Sequence, residues 1–231
     1  MAIEVLKQHI GDNVDRADFL ALYNDYIDTL GAAGLPVIFE IEHLAALVGF
    51  EVADIAKMSV APTFFYRHFS IPKATGGERL IAAPLPSLLS VQRWILDNIL
   101  NKIPLDDAAH GFIAGRSILS NAKMHLNSAE LLKCDIENFF PSIRIARVVA
   151  VFESFGYSPT VSVLLAKLCT FEGCLPQGAA TSPQVSNIIV RRMDMRLRLL
   201  SHSLGLRYTR YADDMTFSGS EISLSFSKLE I

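Results

Sequence analysis

Two adjacent carboxylates, Asp213 and Asp214, stand between two short runs of strand-forming residues. Neighbouring acids at a tight turn repel each other unless they share a cation, and a site made only of oxygen ligands suits Mg²⁺. Aspartate is also common in ordinary polar hairpin turns. The pair therefore leaves two interpretations open, a metal-binding turn and a solvated hairpin.

A third carboxylate, Asp135, follows the apolar residues Leu131 and Leu132. This run predicts a short buried strand, and a carboxylate at the end of such a strand is rarely left unpaired. Beside the turn at 213–214 it would complete a set of acids that hold two Mg²⁺ ions about 4 Å apart. Such ions activate an attacking hydroxyl and neutralise a leaving pyrophosphate, so the acids predict phosphoryl transfer.

The segment 175–183, Leu-Pro-Gln-Gly-Ala-Ala-Thr-Ser-Pro, leads into a long helical pattern. Ser182 suits the N-cap position and Pro183 suits the first helical turn. The segment is explained either as a well-capped helix start or as a loop that presents the Gln177 amide to a nucleotide beside the acids.

The elements that must position these residues follow from hydrophobic periodicity and from turn residues. Helices are predicted over residues 15–30 with Gly31 as the C-terminal cap, 41–48, 51–58, 87–100, 145–155, 159–169 and 182–200. Strands are predicted over residues 66–73 and 78–83 around a Gly-Gly turn, 131–136, 207–211 and 215–218. This mixture predicts an α+β fold. The helices around Gly49 could form a DNA-reading helix-turn-helix, but the acidic start of the second favours a packing role.

The composition is that of an ordinary folded protein of one or two domains, with 231 residues, 51% of them hydrophobic and 19% charged. The net charge of -3 does not suggest a general nucleic-acid binder, because phosphate contacts favour a basic surface. One short stretch is nevertheless rich in arginine, and its members are Arg191, Arg192, Arg196, Arg198, Arg207 and Arg210. They predict either a local basic track or a solvated helix face.

Signals for a membrane, for export or for disulfides are weak. No apolar run reaches the ~18 residues that span a bilayer. The first residues lack the positively charged segment followed by an apolar segment that is typical of a signal peptide. Three cysteines without CxxC spacing predict neither a disulfide nor a metal site. We therefore expect a cytoplasmic protein that does not contact a membrane.

The motifs stand in an order known from one enzyme family. Phe-Phe at 139–140 after Asp135, Leu-Pro-Gln-Gly at 175–178 and Tyr-Ala-Asp-Asp at 211–214 resemble motifs A, B and C of reverse transcriptases. Upstream, Arg-Leu-Ile at 79–81, with Pro84 and Gln92, resembles the segment of that family that binds the nucleotide triphosphate.

A further segment narrows the family. His-Gly-Phe at 110–112 and Gly-Arg-Ser-Ile at 115–118 resemble the next block of reverse transcriptases. Asn-Ala-Lys-Met-His at 121–125 resembles the signature of bacterial retron reverse transcriptases, relatives of group II intron enzymes, although an ordinary exposed helix is the alternative. The resemblance implies RNA contacts by Asn121 and His125.

The resemblance implies the architecture of a right-hand polymerase. It places an N-terminal helical extension over residues 1–62, fingers over 63–130, and a palm over 131–231 with a fingers-type helical insertion around 143–174. Family members continue into a thumb after the palm. The thumb is therefore expected to be absent from this chain.

The resemblance also implies roles for residues in the metal site. The catalytic and metal-binding residues would be Asp135, Asp213 and Asp214, with Ile136 in the metal-binding set. The cofactor would be two Mg²⁺ ions.

Other residues would bind the substrate. Phe140 would lie under the sugar and exclude a 2′-hydroxyl, and Gln177 would contact the incoming nucleotide. Lys73 and Arg79 would neutralise its phosphates, and Tyr211 would lie beside the primer terminus.

The family activity would be synthesis of DNA from deoxynucleoside triphosphates on a structured noncoding RNA. That RNA would serve as template and primer, with DNA starting at the 2′-hydroxyl of a guanosine and remaining joined as a branched product. An effector protein in antiphage defence would be the further partner. The alternative is a truncated, non-catalytic subunit that binds RNA or an effector. An RNA-templated RNA polymerase or a nucleotide cyclase is disfavoured by Phe140 and Leu-Pro-Gln-Gly.

Overall fold

The computed structural model describes residues 3–4, 7–8, 17–72 and 76–222. Its α-helices are α1 (Ala17–Ala32), α2 (Ile41–Val48), α3 (Val52–Val60), α4 (Pro86–Asn98), α5 (Ile118–Lys123), α6 (Phe139–Ser142), α7 (Ile145–Ser154), α8 (Pro159–Cys169) and α9 (Ser182–Ser203). Short 3-10 helices cover Pro62–Phe65 and Leu100–Lys102. Its strands are β1 (Tyr66–Pro72), β2 (Glu78–Pro84), β3 (Glu130–Asp135), β4 (Arg207–Tyr211) and β5 (Asp214–Gly219). The mixture of helices with antiparallel strands confirms the predicted α+β class.

The chain divides into two compact units. The first comprises residues 1–102 and 144–181, and the second comprises residues 103–143 and 182–231. The predicted boundaries at residues 62 and 130 fall within the first and the second unit, respectively, and the division into extension, fingers and palm stays a prediction. The chain returns to the first unit after residue 143. That returning segment includes the helices of the predicted insertion, whose assignment to fingers stays a prediction.

The first unit combines helices with the β1–β2 hairpin. Helices α7 and α8 pack against each other, and α8 also contacts α3 and α4. The side chains that are fully buried in this unit are mostly apolar, and they include Ile27, Leu30, Ile38, Leu44, Ile55, Ile95, Phe152 and Leu165. None of the helices in the described ranges of either unit is both long and apolar enough to cross a bilayer.

The second unit is built on a three-stranded antiparallel sheet in the order β3-β5-β4. Helix α9 packs against β4. A small apolar cluster in this unit contains Ala108, Tyr208 and Phe217. Because β5 is central, both neighbouring strands end beside its first residue, Asp214.

Strand β3 differs most from its prediction. The strand forms where the sequence placed it, but Leu131 is 55% exposed and Leu132 is 39% exposed. The prediction of a buried strand was wrong, because β3 lies at the edge of the three-stranded sheet and has no neighbouring strand on one side within the described ranges. An apolar run does not reveal whether its strand is central or at an edge.

Two helix ends also differ from their predictions. Gly31 lies within α1, and the chain leaves this helix at Gly34, which has a left-handed φ of 67°. Ser182 is the first residue of α9, and its buried hydroxyl has no hydrogen-bond partner among the described residues, so it is not an N-cap. By contrast, Ser158 caps α8 by accepting a hydrogen bond from the Val161 nitrogen at 3.4 Å.

Candidate active site

The predicted catalytic aspartates lie at one end of the sheet in the second unit. Asp135 is the last residue of β3 and lies directly opposite Asp214, the first residue of β5. Asp213 is fixed at the same end, because its carbonyl oxygen accepts a hydrogen bond from the Ile136 nitrogen at 3.1 Å. Tyr211, the last residue of β4, lies opposite Asp214 on the other side. Directly opposite residues place their side chains on one face of a sheet, so acids far apart in the sequence converge.

The turn between β4 and β5 has a constrained backbone. Ala212 adopts a left-handed conformation with a φ of 58°, which costs a residue with a Cβ roughly 1–2 kcal/mol. Gly111 lies against this turn, and a Cβ on it would overlap the Ala212 nitrogen and lie 3.2 Å from the Tyr211 carbonyl carbon. Only glycine fits at residue 111 without movement of the turn.

The electrostatics of the sheet end favour a bound cation. Asp135 and Asp214 are both exposed, and like charges directly opposite each other destabilise a strand pair. In the part of the chain that the structure describes, neither carboxylate forms an ion pair with a lysine or an arginine. A shared cation would relieve this repulsion, and carboxylate oxygens are the ligands that Mg²⁺ prefers. The donor set therefore fits Mg²⁺.

The protein alone does not supply a complete set of metal ligands. Among the described residues, no three His, Cys, Asp or Glu side chains are grouped closely enough to hold an ion. Mg²⁺ is usually bound through one or two carboxylates together with substrate phosphates, so the remaining ligands would come from the substrate. Ile136 has only its carbonyl oxygen to offer, because its side chain is a hydrocarbon and its nitrogen donates to Asp213.

Phe140 is supported by two other aromatic rings. It lies on α6, half-buried, with its ring centroid 5.4 Å from that of Phe139 and 6.3 Å from that of Phe112. Asn138, with a left-handed φ of 50°, directs the chain from β3 into this short helix. These rings pack against Phe140, whose part in sugar selection stays a prediction.

The predicted nucleotide-binding residues belong to the first unit. The loop 175–181 is fixed against β2, because the Ala82 nitrogen donates to the Gln177 carbonyl oxygen at 2.8 Å. Arg79 lies on β2 and is exposed. The structure thus brings the Gln177 loop and the strand of Arg79 together, whereas Lys73 lies outside the described residues.

Comparison with known proteins decides the family. The family described as reverse transcriptase (RNA-dependent DNA polymerase) matches residues 71–225, more than half of this chain. The chain belongs to the reverse transcriptase family. The matched range contains all of the catalytic aspartates that the sequence predicted.

Several relatives of this chain are retron reverse transcriptases. It is 38% identical to the Retron Mx162 reverse transcriptase of Myxococcus xanthus over 209 residues, which are 81% of this chain and 43% of that protein. It is 38% identical to the Retron Mx65 reverse transcriptase of the same species over 216 residues, 84% of this chain and 51% of that protein. It is 35% identical to the Retron Ec86 reverse transcriptase of Escherichia coli over 202 residues, 86% of this chain and 63% of that protein. The chain spans about half the length of the curated relatives it matches. The predicted resemblance to retron reverse transcriptases is confirmed.

Within the retron-like segment, His125 supports the sheet. It is 8% exposed, and its Nδ1 and Nε2 atoms lie 2.7 Å from the hydroxyl oxygens of Ser218 and Thr209, respectively. Burial, followed by the charge of Arg207, lowers the pKa of His125. Asn121, on α5, is half-buried, and its buried Oδ1 atom has no hydrogen-bond partner among the described residues. RNA contacts by these two residues stay predictions.

Three arginines of the basic stretch make contacts within the second unit. Arg210 is completely buried and forms an ion pair with Asp194, so it cannot belong to the predicted basic track. Arg198 is paired with Asp106 at 2.9 Å, and Arg207 donates to the Leu126 carbonyl oxygen at 3.0 Å. Sequence reasoning missed the buried pair, because a cluster of arginines on a helix and a strand favours an exposed face.

Proposed function

We propose that this reverse transcriptase family member is an RNA-directed DNA polymerase of retron type that works by two-metal nucleotidyl transfer. The observation that carries the proposal is the strand register that sets Asp135 opposite Asp214, together with the hydrogen bond that fixes Asp213 beside them. Exposed acids at one sheet end suit phosphoryl transfer, which depends on positioning and charge compensation.

In the proposed reaction, a hydroxyl oxygen of the RNA primer forms a bond to the α-phosphorus of a deoxynucleoside triphosphate as the bond to pyrophosphate breaks. Two bound Mg²⁺ ions would supply a lowered pKa at that hydroxyl and charge compensation for the pyrophosphate. Asp135, Asp213 and Asp214 would hold the ions, and the carbonyl oxygen of Ile136 would be a further ligand.

Selection of the nucleotide is assigned to the residues for which the family resemblance implies that role. Phe140, packed against Phe139 and Phe112, crowds the 2′ position of the sugar and favours deoxynucleotides. Gln177 contacts the incoming nucleotide. Lys73 and Arg79 neutralise its phosphates, and Tyr211 lies beside the primer terminus.

The proposal extends to the biological partners. The template and primer are one structured noncoding RNA, and the product is single-stranded DNA joined to it through a 2′-hydroxyl. An effector protein completes a cytoplasmic antiphage system. The support is the 35–38% identity to retron reverse transcriptases.

The test is DNA synthesis by the protein with a structured RNA template-primer, Mg²⁺ and deoxynucleoside triphosphates. The double variant Asp213→Asn with Asp214→Asn should lose activity by roughly a thousandfold or more, because several kcal/mol of transition-state stabilisation are removed. Asp97→Asn, at an exposed aspartate of α4, is the matched control and should keep its activity.

Two outcomes would contradict the proposal. Normal extension by the double variant would exclude the aspartates from catalysis. Absence of synthesis by every form, with RNA binding intact, would favour a non-catalytic RNA-binding subunit.

A further inference from the structure

The strand before the turn contains the arginine that is completely buried. Arg210 and its partner Asp194 both have no exposed surface, with Nη2–Oδ2 at 2.7 Å and Nε–Oδ1 at 2.9 Å. Tyr208 donates its hydroxyl to the same carboxylate at 2.8 Å. Every charge in this group therefore has a partner, as burial requires.

One arm of the guanidinium reaches the turn itself. The Nη1 atom of Arg210 donates to the Ala212 carbonyl oxygen at 2.6 Å. The backbone of Arg210 is fixed on its other side, because its nitrogen donates to Ala108 and its carbonyl oxygen accepts from the His110 nitrogen, both at 2.7 Å. The left-handed residue that directly precedes Asp213 is thus held by a side chain as well as by the strands.

The Nη2 atom of Arg210 contacts the turn indirectly, through Asn187. The Asn187 Oδ1 atom accepts a hydrogen bond from Arg210 Nη2 at 2.9 Å, and the Asn187 Nδ2 atom donates to the Gly111 carbonyl oxygen at 3.0 Å. Gly111 in turn lies against Ala212. Asn187 and Asp194 are seven residues apart on α9, two helical turns, so one face of this helix carries both supports.

A contribution to stability alone does not account for this arrangement. Replacing a buried ion pair by apolar residues of similar volume is often neutral or stabilising. A planar guanidinium has five donors in a fixed fork, and here they reach a carboxylate, an amide and the turn carbonyl together. A lysine cannot make these contacts at once.

We propose that Arg210, held by Asp194 and Asn187, is a positioning residue that sets the Asp213–Asp214 turn against Asp135 for metal binding. This inference rests on the proposed function of these aspartates. We call Arg210, Asp194, Asn187 and Tyr208 the Arg210 network.

The experiment separates positioning from folding. The triple variant Tyr208→Phe, Asp194→Leu, Arg210→Met removes the buried charges and the bond to Ala212 while keeping an apolar interior. Mn²⁺ serves as the probe ion, and because the described residues supply only part of the ligand set, a non-hydrolysable deoxynucleoside triphosphate analogue and an RNA template-primer are present in every sample. Binding beyond that of the nucleotide alone is followed by electron paramagnetic resonance, beside thermal unfolding. The triple variant should unfold near the wild-type temperature but bind Mn²⁺ about tenfold or more weakly, the loss typical when groups that orient metal ligands are removed.

Matched variants make each outcome decisive. Arg198→Met, on the same helix as Asn187 and Asp194, breaks the ion pair with Asp106 and should leave Mn²⁺ binding unchanged. If the triple variant does not fold, Asn187→Ala, which keeps the ion pair, decides by the same two measurements. A folded variant of either kind with wild-type Mn²⁺ affinity would overturn the positioning role.

Failure of the proposed function gives a different result. In that case Mn²⁺ binding by the wild-type protein would not depend on Asp213 and Asp214, and the Asp213→Asn, Asp214→Asn variant would bind as the wild type does. Loss of binding in this variant, without loss in the triple variant, would contradict only the Arg210 network.

Discussion

Two segments of this protein are each hydrogen-bonded by one completely buried polar side chain, but the two side chains differ in charge. The loop 175–181 is held by Gln92, which donates to the Tyr66 hydroxyl and the Leu168 carbonyl oxygen, both at 2.9 Å, and accepts from the Ala180 nitrogen at 3.2 Å. The turn 211–214 is held by Arg210 and its carboxylate partner.

The charge of the supporting side chain determines how strongly each segment depends on it. Removal of a neutral amide leaves each of its partners without a hydrogen bond, and each such group costs a modest amount of folding free energy. A buried guanidinium that is removed leaves a carboxylate without compensation in the interior, which is far more costly. Single substitutions should therefore destabilise the support of the turn 211–214 more than the support of the loop 175–181.

The largest expected effect comes from breaking the charged support on one side only. Arg210→Ala leaves Asp194 buried and unpaired, so the free energy of unfolding should fall by about 3–5 kcal/mol. Urea denaturation followed by circular dichroism measures this. A loss below about 1 kcal/mol would mean that Asp194 finds another partner or becomes neutral, and the comparison would fail.

A smaller effect is expected from the neutral support. Gln92→Leu leaves the Ala180 nitrogen and two further groups without their bonds, and the free energy of unfolding should fall by about 1–3 kcal/mol. The KM for deoxynucleoside triphosphate should rise, because the Gln177 loop loses its anchor. Leu88→Met, one helical turn earlier in α4 and also buried, is the control for a core substitution. A loss as large as that of Arg210→Ala would remove the distinction between the two supports.

The smallest effect concerns pH and sharpens the comparison within the second unit. The pKa of His125 is lowered in the folded protein by burial and then by Arg207, so the unfolded chain binds a proton more readily. The stability that His125 contributes is therefore present above about pH 6.5 and is lost as the pH falls through the lowered folded pKa.

Denaturation at pH 8, 7, 6 and 5 measures this loss. His125→Gln should show a shallower decline between pH 7 and pH 5 than the wild type, whereas His202→Gln, at an exposed histidine of α9, should not. Identical declines for all three proteins would show that His125 does not couple the sheet to pH.

Much of the fold could be predicted because local signals mark it. The antiparallel hairpin around residues 212–213 follows from two strand-like runs separated by turn residues, and helix α8 has the serine and proline that start helices. The convergence of Asp135 with the turn followed from the order of the motifs. The roles of the individual residues stay predictions.

Arg210 could not be identified as buried from the sequence, because β4 lacks the usual alternation of buried and exposed side chains. Tyr208, Thr209 and Arg210 are consecutive and all buried, since β4 pairs with β5 and is covered by α9. Its carboxylate partner comes from 16 residues away on a helix, and no local pattern links them. Leu131 was misjudged for the opposite reason, since the edge position of its strand depends on distant pairing.

Gly111 has a consequence for how this sequence tolerates change. The residue is not one of the proposed ligands, yet a single methyl group there would occupy the space of the Ala212 nitrogen. Asp213 and Asp214 directly follow Ala212, so the added methyl group of Gly111→Ala would displace these acids from β3. Side chains of increasing size at position 111 should displace the turn by increasing amounts, so a series of variants at this one site would show how much displacement the acids tolerate without altering any proposed ligand.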